Sequence, residues 1–375
     1  MANKKQAIVS VTNDLYTDNR VDKICLFLEK QGYNVLLVGR FKKNSVKLNE
    51  RKYRTKRLKL FKEKGAGFYA EYNFRLFFFL LFRKTDLIVS NDLDTLLANY
   101  VVSKFKHNTR LVYDSHEYFT EVPELISRPK VQKIWERIER WIFPKLETIY
   151  TVNESIAELY TEKYKKKVFV VRNISPTWDS KNLLSKAALG IPENKFIIII
   201  QGAGINIDRG AEEAVSAMSL IDNAVLLIVG DGDVVPQLKK YVIEYDLENK
   251  VLFFGKRPYF EMMAFTHYAD IGLTLDKPTN LNYLYSLPNK VFDYIHTNTP
   301  IISTDLIEIK RVILKHNLGI ILDELSPENL AKTIKELQEN PIRLNELKSN
   351  CRAAAKIENW ENEILILEKI YPQID

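Results

Sequence analysis

Cysteine is scarce in this sequence: the 375 residues include two, Cys25 and Cys351, which lie far apart. A disulfide framework or a cysteine-rich metal site needs paired or clustered cysteines, so neither organises this fold. Isolated thiols are typical of proteins kept in a reducing compartment. We therefore expect a cytoplasmic protein that is held together by an ordinary apolar core.

Long apolar runs are also missing. The run at 76–82 is far shorter than the roughly 20 residues that cross a bilayer as a helix. The sequence starts Met-Ala-Asn-Lys-Lys-Gln and enters an apolar strand pattern at 7–11, which leaves no room for the apolar region of a secretory signal. These features favour a protein that reaches a membrane only as a peripheral protein on its inner face.

The basic excess, a formal net charge of +7, is concentrated in one segment. Between 40 and 64, Lys and Arg far outnumber the acids Glu50 and Glu63, and an aromatic-rich stretch follows at 68–82. This pattern is typical of binding to an anionic membrane surface, which we predict for 40–82. It also fits a solvated basic loop ahead of a buried helix. Nucleic acid is not a predicted partner, because the usual recognition motifs are missing.

Short apolar runs alternate with amphipathic stretches, as in α/β proteins with parallel sheets and crossover helices. The predicted strands are 7–11, 35–38, 87–89, 110–113, 148–152, 168–171, 196–201, 225–229, 251–254, 271–274, 300–303 and 319–321. The length predicts two domains, and the pattern breaks at Asn173 to Pro176. We assign 1–174 and the C-terminal helix 357–375 to the first domain and 175–356 to the second.

The stretch 288–302 is the most informative part of the sequence. It carries one carboxylate, Asp293, with Pro300 seven residues later and an apolar strand after that. Strand ends and helix starts border the ligand crevice of an α/β domain. We predict that Asp293 lies on a short helix that ends in a turn before this strand, in a nucleotide site. The alternative is a solvated aspartate that interacts only with the helix dipole.

This segment resembles the donor-binding signature of retaining glycosyltransferases of the GT-B fold, especially family 4. The resemblance implies two Rossmann-like domains that face each other across a cleft, with a C-terminal helix that crosses back to the first domain. It also implies that Asp293 holds the ribose of a nucleotide sugar and that Lys290, in a Pro-x-Lys pattern, pairs with the diphosphate. Family members usually carry a second acid where this sequence has Tyr285.

Glycine-rich turns surround the implied diphosphate site. Gly202 and Gly204 follow the strand at 196–201, and Arg209 precedes a helix start, where a cation and free N–H groups can bind phosphate. The resemblance implies that Arg209 grips the donor diphosphate; an ordinary surface ion pair is the alternative. The remaining donor-binding candidates are Gly230, Gly232, Lys256, Tyr285, Ser286 and Leu287.

His116 follows the strand at 110–113. The resemblance implies that its imidazole contacts the donor sugar near the departing phosphate; a structural histidine at the strand end is the alternative. Acceptor candidates are Asp18, Asn19 and Asp92, although Asp18 or Asn19 could serve only as helix caps. We expect no metal, because Asp92-x-Asp94 and Asp231-x-Asp233 lie in ordinary turns. We expect no cofactor besides the nucleotide sugar.

The resemblance implies a metal-independent hexosyltransferase that moves a sugar, with retention of configuration, from a UDP- or GDP-sugar to a glycan or lipid-linked glycan in cell-surface polysaccharide or glycoconjugate synthesis. Two alternatives stay open. One is a nucleotide-sugar epimerase or hydrolase of the same fold. The other is a non-catalytic membrane-associated scaffold subunit, which the replacement of the usual acid by Tyr285 would suit.

Overall fold

The computed structural model describes residues 4–16, 18–181 and 183–371, and the chain divides into two compact units. Unit 1 contains Met1–Arg172 and Ile364–Asp375, and unit 2 contains Asn173–Glu363. The sequence prediction ended the first domain at 174 and returned to it at 357. Residues 372–375 of the predicted terminal helix lie outside the described residues.

Unit 1 is built on a parallel sheet. Among the described residues its strands are β1 Gln6–Ser10, β2 Asn34–Phe41, β3 Arg54–Lys59, β4 Leu87–Asn91, β5 Arg110–Ser115, β6 Thr148–Thr151 and β7 Phe169–Val170. Their order across the sheet is β3-β2-β1-β4-β5-β6-β7. The order therefore reverses between β1 and β4, and the crevice outside such a switch point is where open α/β sheets bind ligands.

The helices of unit 1 connect these parallel strands. They are α1 Asn19–Lys30, α2 Gly65–Leu81, α3 Leu93–Phe105, α4 Pro123–Ile126, α5 Pro129–Ile142 and α6 Glu154–Tyr164, with short 3₁₀ turns at Phe119–Glu121 and Phe143–Lys145. Helix α1 shows why these segments fold as they do. It buries Val21, Ile24 and Leu28 at helical spacing, and Asp18 caps its first turn by accepting a hydrogen bond from the Val21 backbone N–H.

Unit 2 repeats the architecture. Its strands are β8 Phe196–Gly202, β9 Ala224–Gly230, β10 Val251–Phe253, β11 Ile271–Thr274, β12 Ile301–Thr304 and β13 Gly319–Leu322, in the order β10-β9-β8-β11-β12-β13. Its helices are α7 Lys186–Leu189, α8 Ala211–Ala217, α9 Val235–Glu244, α10 Tyr259–His267, α11 Leu281–Leu284, α12 Asn289–His296, α13 Ile307–His316, α14 Pro327–Gln338 and α15 Pro341–Ala354; a 3₁₀ turn spans Met218–Leu220. The order reverses between β8 and β11. Helix α16, Trp360–Ile370, returns the chain to unit 1.

The isoleucine run of β8 explains why this strand is central. Ile198 and Ile200 pack into the core on one face of the sheet, and Ile197 and Ile199 pack into the core on the other. A strand that is covered on both faces needs apolar residues at consecutive positions. The two Rossmann-like, parallel-sheet units confirm the predicted fold class.

Strand β3 was missing from the sequence prediction, which left 40–64 as a basic loop. The strand pairs in parallel with β2 at the edge of the sheet, and its Leu58 is buried. Its Arg54, Lys56 and Lys59 are exposed. Because lysines on an edge strand oppose pairing with another chain, a basic sequence is compatible with a strand at this position.

One cysteine lies in each unit. Cys25 and Cys351 are both buried and unpaired. Burial raises the pKa of the Cys25 thiol, and it raises the pKa of Cys351 to about 12. In the described parts of the chain, no helix combines the length and the hydropathy that crossing a bilayer requires.

Candidate active site

Two predicted cations converge on one buried carboxylate in unit 2. Arg209 Nη1 lies 2.9 Å from Asp276 Oδ1, and Lys290 Nζ lies 3.9 Å from Asp276 Oδ2. Asp276 is 1% exposed and follows β11, so it stands at the carboxyl end of the strand next to β8. The three residues therefore meet at the topological switch point of the sheet.

The charge of this cluster is unbalanced, because two cations share one carboxylate. Burial lowers the pKa of Lys290 and Arg209 lowers it further, while Asp276 opposes both effects. Arg209 also lies over the ring of Tyr283, with its guanidinium carbon 4.9 Å from the ring centroid. A planar cation that packs on an aromatic ring keeps a defined orientation, and its remaining donors can then bind an anion.

Three buried polar atoms, in this cluster and in the turn before α12, lack hydrogen-bond partners among the described residues. They are Arg209 Nε, Asp276 Oδ2 and Ser286 Oγ. An unpaired buried polar group is costly, and native structures keep such groups mainly where a ligand or solvent completes them. Ser286 lies between Tyr285 and Leu287 in the half-buried turn that joins α11 to α12, and Tyr283 of α11 is in contact with Arg209.

The predicted glycines fall into two groups. A Cβ atom on Gly230 would lie 1.9 Å from the carbonyl oxygen of Gly202, and one on Gly232 would lie 2.0 Å from that of Ile205, so both glycines let the backbones approach each other. At Gly202 a Cβ atom would meet open space, and at Gly204 its nearest neighbour would be 3.6 Å away. Only this second pair leaves the backbone open to a ligand.

Asp293 lies inside helix α12 rather than at its start. The predicted short helix ahead of a strand is confirmed, since α12 spans Asn289–His296 and β12 follows it, and Asp293 is 4% exposed. Its carboxylate accepts hydrogen bonds from Ser175 Oγ at 3.0 Å, Tyr259 Oη at 2.8 Å and Gln201 Nε2 at 3.1 Å. The solvated alternative is therefore wrong.

Lys256 lies apart from this buried network. Its Nζ is 3.9 Å from Asp231 Oδ2, and both side chains are exposed. Such surface pairs contribute little to stability. The turn that follows β9 is instead held by its own aspartates, since Asp231 Oδ1 accepts a hydrogen bond from the Gly232 N–H and Asp233 Oδ1 accepts one from the Ile207 N–H.

In unit 1, His116 is held at the carboxyl ends of β4 and β5. Its backbone N–H donates to Asp92 Oδ1 at 2.8 Å, and its Nε2 lies 3.1 Å from Asn91 Oδ1. Burial alone would lower the pKa of His116, but the carboxylates of Asp92 and Asp114 outweigh it and raise the pKa to about 9. The imidazole is therefore a cation at neutral pH, which suits contact with an anionic group.

A buried arginine holds the second of these carboxylates. Arg20 Nη2 lies 2.7 Å from Asp114 Oδ1, and Arg20 Nη1 donates to the Val171 carbonyl at 2.8 Å. Burial alone would raise the pKa of Asp114, but Arg20 and His116 lower it to about 2. The ion pair with Arg20 thus holds Asp114 in place, and Asp114 in turn helps to orient His116.

Solved structures share this fold along almost the whole chain. Sucrose-phosphate synthase from Thermosynechococcus elongatus gives a TM-score of 0.76 at 16% identity over 99% of both chains. A glycosyltransferase from Rickettsia africae gives 0.76 at 13% identity over 99% of this chain and 100% of its own. HepE from Anabaena, solved with UDP-glucose, gives 0.72 at 15% identity over 97% of this chain and 98% of its own. None of the curated proteins compared with the chain matches it.

Family models add sequence evidence to the fold. The model described as "Glycosyl transferases group 1" matches residues 182–357, and the model "Glycosyltransferase Family 4" matches residues 18–174. The chain is a GT-B glycosyltransferase that resembles family 4. Sugar transfer is therefore its activity class, and the resemblance inferred from the residues around Asp293 is confirmed.

The acceptor candidates of this glycosyltransferase differ in their surroundings. Asp18 is the N-cap of α1 and also accepts a hydrogen bond from Asn13 Nδ2 at 2.6 Å, while Asn19 is the first residue of that helix. Asp92 precedes α3 with a φ of 57°, a conformation that favours glycine. Strained residues of this kind concentrate at functional sites, so Asp92 is the stronger acceptor candidate.

Metal-binding geometry is not found in the described part of the glycosyltransferase, where no group of three His, Cys, Asp or Glu side chains is arranged to hold an ion. Two acidic side chains of unit 1, Asp94 and Glu117, instead have raised pKa values. Burial and Asp92 raise the pKa of Glu117 to about 8, and the same two causes raise the pKa of Asp94 to about 7.

Sequence reasoning missed two groups of residues in the enzyme. Asp276 comes just after a predicted strand, at 271–274, and this position was the available signal, but nothing in the sequence says that β11 lies next to β8. Ser175, Gln201 and Tyr259 surround Asp293 from three distant segments, and no local pattern marks them.

Proposed function

We propose that this glycosyltransferase transfers a sugar from a UDP- or GDP-sugar, with retention of anomeric configuration and without a metal, to a glycan or lipid-linked glycan acceptor. The product class would be a cell-surface polysaccharide or glycoconjugate, made at the cytoplasmic face of the membrane. The proposal includes peripheral attachment of the enzyme to that membrane, and it assigns no cofactor besides the nucleotide sugar.

The observation that carries the proposal is the convergence of Arg209 and Lys290 on Asp276. Two cations that share one carboxylate leave a net positive charge at the end of a central strand, where a donor diphosphate would be bound. Gly202 and Gly204 leave the backbone beside them open. HepE, a structural neighbour, has been solved with UDP-glucose, which supports a nucleotide sugar as the donor.

The chemistry would consist mainly of charge stabilisation. As the bond between the sugar and the diphosphate breaks, negative charge grows on the leaving oxygen, and preoriented cations stabilise it. Arg209 and Lys290 would bind this diphosphate. His116, protonated at neutral pH, would contact the sugar or its leaving phosphate, and Asp293 would position the ribose within its network of Ser175, Gln201 and Tyr259.

Nucleotide binding tests the donor site. We expect UDP or GDP to raise the melting temperature of the full chain, because a ligand that binds only the folded state stabilises it. ADP should have less effect. The shift should vanish in Arg209→Ala and Asp293→Asn but persist in Arg257→Ala, a matched control whose cation pairs with Glu261 at 3.6 Å on the surface of unit 2.

Product analysis separates the proposal from its alternatives. Incubation of the donor without an acceptor should leave most of it intact, whereas an epimerase would yield an isomeric nucleotide sugar and a hydrolase a free sugar. If no nucleotide shifts the melting temperature, the scaffold alternative replaces the enzyme. Determination of the anomeric configuration of the product by NMR decides between retention and inversion.

A further inference from the structure

A stripe of exposed phenylalanines runs along helix α2. Phe74, Phe78 and Phe82 are 65%, 42% and 81% exposed, and their spacing of four residues places them on one face. The opposite face of α2 packs into the core of unit 1 through Phe68, Tyr72, Leu76 and Leu80. The helix thus fills a core with one face and presents aromatic rings outward with the other.

The exposed rings belong to a continuous aromatic surface. Phe78 lies 4.8 Å from Phe74 and 6.5 Å from Phe82, measured between ring centroids, and Phe77 links Phe78 to Phe105, which is 65% exposed. Monomeric soluble proteins rarely expose apolar patches of this kind without a partner. We call the set Phe74, Phe78, Phe82 and Phe105 the phenylalanine ridge.

A basic cavity of about 510 Å³ lies beside the ridge. Phe79 and Arg83, the chain neighbours of Phe78 and Phe82, line one part of it, and edge strand β3 lines another. Its lining includes one acid, Glu50, and four cations: Arg51, Arg54, Lys56 and Arg83. The cavity is therefore suited to an anionic group of small size.

The cations of the cavity differ in the contacts that they make. Arg51 Nη1 lies 3.6 Å from Asp22 Oδ1. Arg83 lies over the ring of Phe79, with 4.3 Å between its guanidinium carbon and the ring centroid. Arg54 and Lys56 form no ion pair within the residues that the structure describes. These last two remain able to bind an external anion.

We propose that α2 and β3 form a docking surface for an anionic lipid bilayer, in which the phenylalanine ridge inserts among the acyl chains and the basic cavity holds a phospholipid headgroup phosphate. Aromatic residues partition into the membrane interface, and cations flanking them attract anionic lipid. This inference rests on one part of the proposed function, the lipid-linked acceptor, because only that acceptor requires the enzyme to bind a membrane.

Charge decides between a bilayer and a second copy of this chain as the occupant. A second copy would bring its own Arg54, Lys56 and Arg83 close to the same cations around a two-fold axis, and like charges would repel. An anionic bilayer supplies both an apolar layer for the rings and phosphates for the cations. The surface therefore matches lipid better than itself.

The experiment is co-sedimentation of the full chain with vesicles of phosphatidylcholine, with and without phosphatidylglycerol, at low and high salt. We expect binding that needs phosphatidylglycerol and weakens with salt. Phe74→Ser/Phe78→Ser/Phe82→Ser should weaken it by about tenfold or more, since affinity follows buried apolar area. Arg54→Gln/Lys56→Gln should weaken it by about 25-fold, at about fivefold for each cation.

Matched controls come from unit 2. Ile243→Ser/Leu314→Ser/Ile342→Ser removes three exposed apolar side chains, and Lys332→Gln/Lys335→Gln removes two charges from helix α14. Both should bind vesicles like the unchanged protein. The melting-temperature shift with UDP or GDP should persist in all four variants, so a failed donor site and a failed docking surface give different results.

Three outcomes would overturn the proposal. If the protein does not bind phosphatidylglycerol vesicles at low salt, α2 and β3 are not a membrane-docking surface. If the triple serine variant still binds the vesicles, charge alone attaches the protein and the phenylalanine ridge has no part in binding. Concentration-dependent dimers that this variant abolishes, without vesicle binding, make the ridge an interface between copies.

Discussion

At the scale of single residues, the pairing of Arg209 and Lys290 with one carboxylate is the main electrostatic feature of the donor site. Asp276 offsets part of the charge of the two cations, and a bound diphosphate would compete with it for the same donors. The carboxylate therefore holds the cations in place before the donor binds and opposes the donor when it arrives.

Replacement of Asp276 by asparagine separates these two effects. We expect Asp276→Asn to bind UDP or GDP several-fold more tightly, because a nearby negative charge is removed. We also expect a loss of about 1–3 kcal/mol in the free energy of unfolding, because two partly buried cations lose their counter-charge. Calorimetric titration and urea unfolding measure the two quantities. Asp305→Asn, which removes an exposed pair with Lys310, is the control; weaker nucleotide binding in Asp276→Asn would contradict the prediction.

The pKa of His116 predicts how stability depends on pH. Folding raises this pKa from 6.5 to about 9, so the stabilisation from the protonated imidazole is complete below pH 6.5 and is lost as the pH rises through 9. Asp94 and Glu117 act in the same direction, because their pKa values are also raised. Asp114 acts oppositely: its pKa of about 2 means that its contribution is lost only in acid.

Urea unfolding between pH 6 and 9.5 measures this dependence. The range begins below the ordinary histidine pKa of about 6.5 and ends above the raised pKa of His116. As the pH rises across this range, the free energy of unfolding of His116→Gln should fall by up to about 3 kcal/mol less than that of the unchanged protein. The part of the fall that is due to Asp94 and Glu117 should remain. His107→Gln, at an exposed position, should keep the full dependence. An unchanged profile in His116→Gln would show that Asp92 and Asp114 do not hold a protonated imidazole.

At the scale of elements, the end of β9 and the loop after β8 offer a pair of glycines to compare, Gly230 and Gly204. Gly230→Ala should lower the free energy of unfolding by about 3 kcal/mol or more, because φ is 152° and the new Cβ would strike the carbonyl of Gly202. Gly204→Ala should change it by no more than about 0.5 kcal/mol. If the donor approaches this backbone, Gly204→Ala should still weaken nucleotide binding, by about tenfold. Unfolding and titration of both variants test this; normal affinity in Gly204→Ala would place the donor elsewhere.

The sequence allowed most strands to be predicted, for a physical reason. Strands such as β8 and β9 are buried on both faces, so their apolar runs are visible without knowledge of their neighbours. Edge strand β3 buries Leu58 among exposed or half-buried polar residues, so its composition resembles that of a loop. Helix α12 was recognised because it lies between Pro288 and the apolar strand that follows Pro300.

The site was only partly predictable because its members come from distant segments. Arg209, Lys290 and His116 stand beside recognisable strand ends or turns, so the resemblance could point to them. Asp276 and the network around Asp293 depend on which strands are neighbours, and strand order is not encoded in any local pattern. The same limit applies to Arg20, whose partner Asp114 is 94 residues away.

At the scale of the whole molecule, metal independence is the broadest prediction. A donor site that stabilises the diphosphate with Arg209 and Lys290 should not need a divalent ion for that purpose. We expect transfer activity to be unchanged after treatment with EDTA. Loss of activity that manganese restores would contradict this and would require a metal beside the diphosphate.

The two buried thiols give the molecule one internal reporter in each unit. Cys25 and Cys351 can react with an alkylating reagent only when the surrounding structure opens, because each is fully buried in the folded chain. The rate at which each thiol is modified, read by mass spectrometry of separate peptides, therefore measures the opening of its own unit. Protection of Cys351 alone by a nucleotide would locate the binding energy in unit 2 without any substitution in the chain.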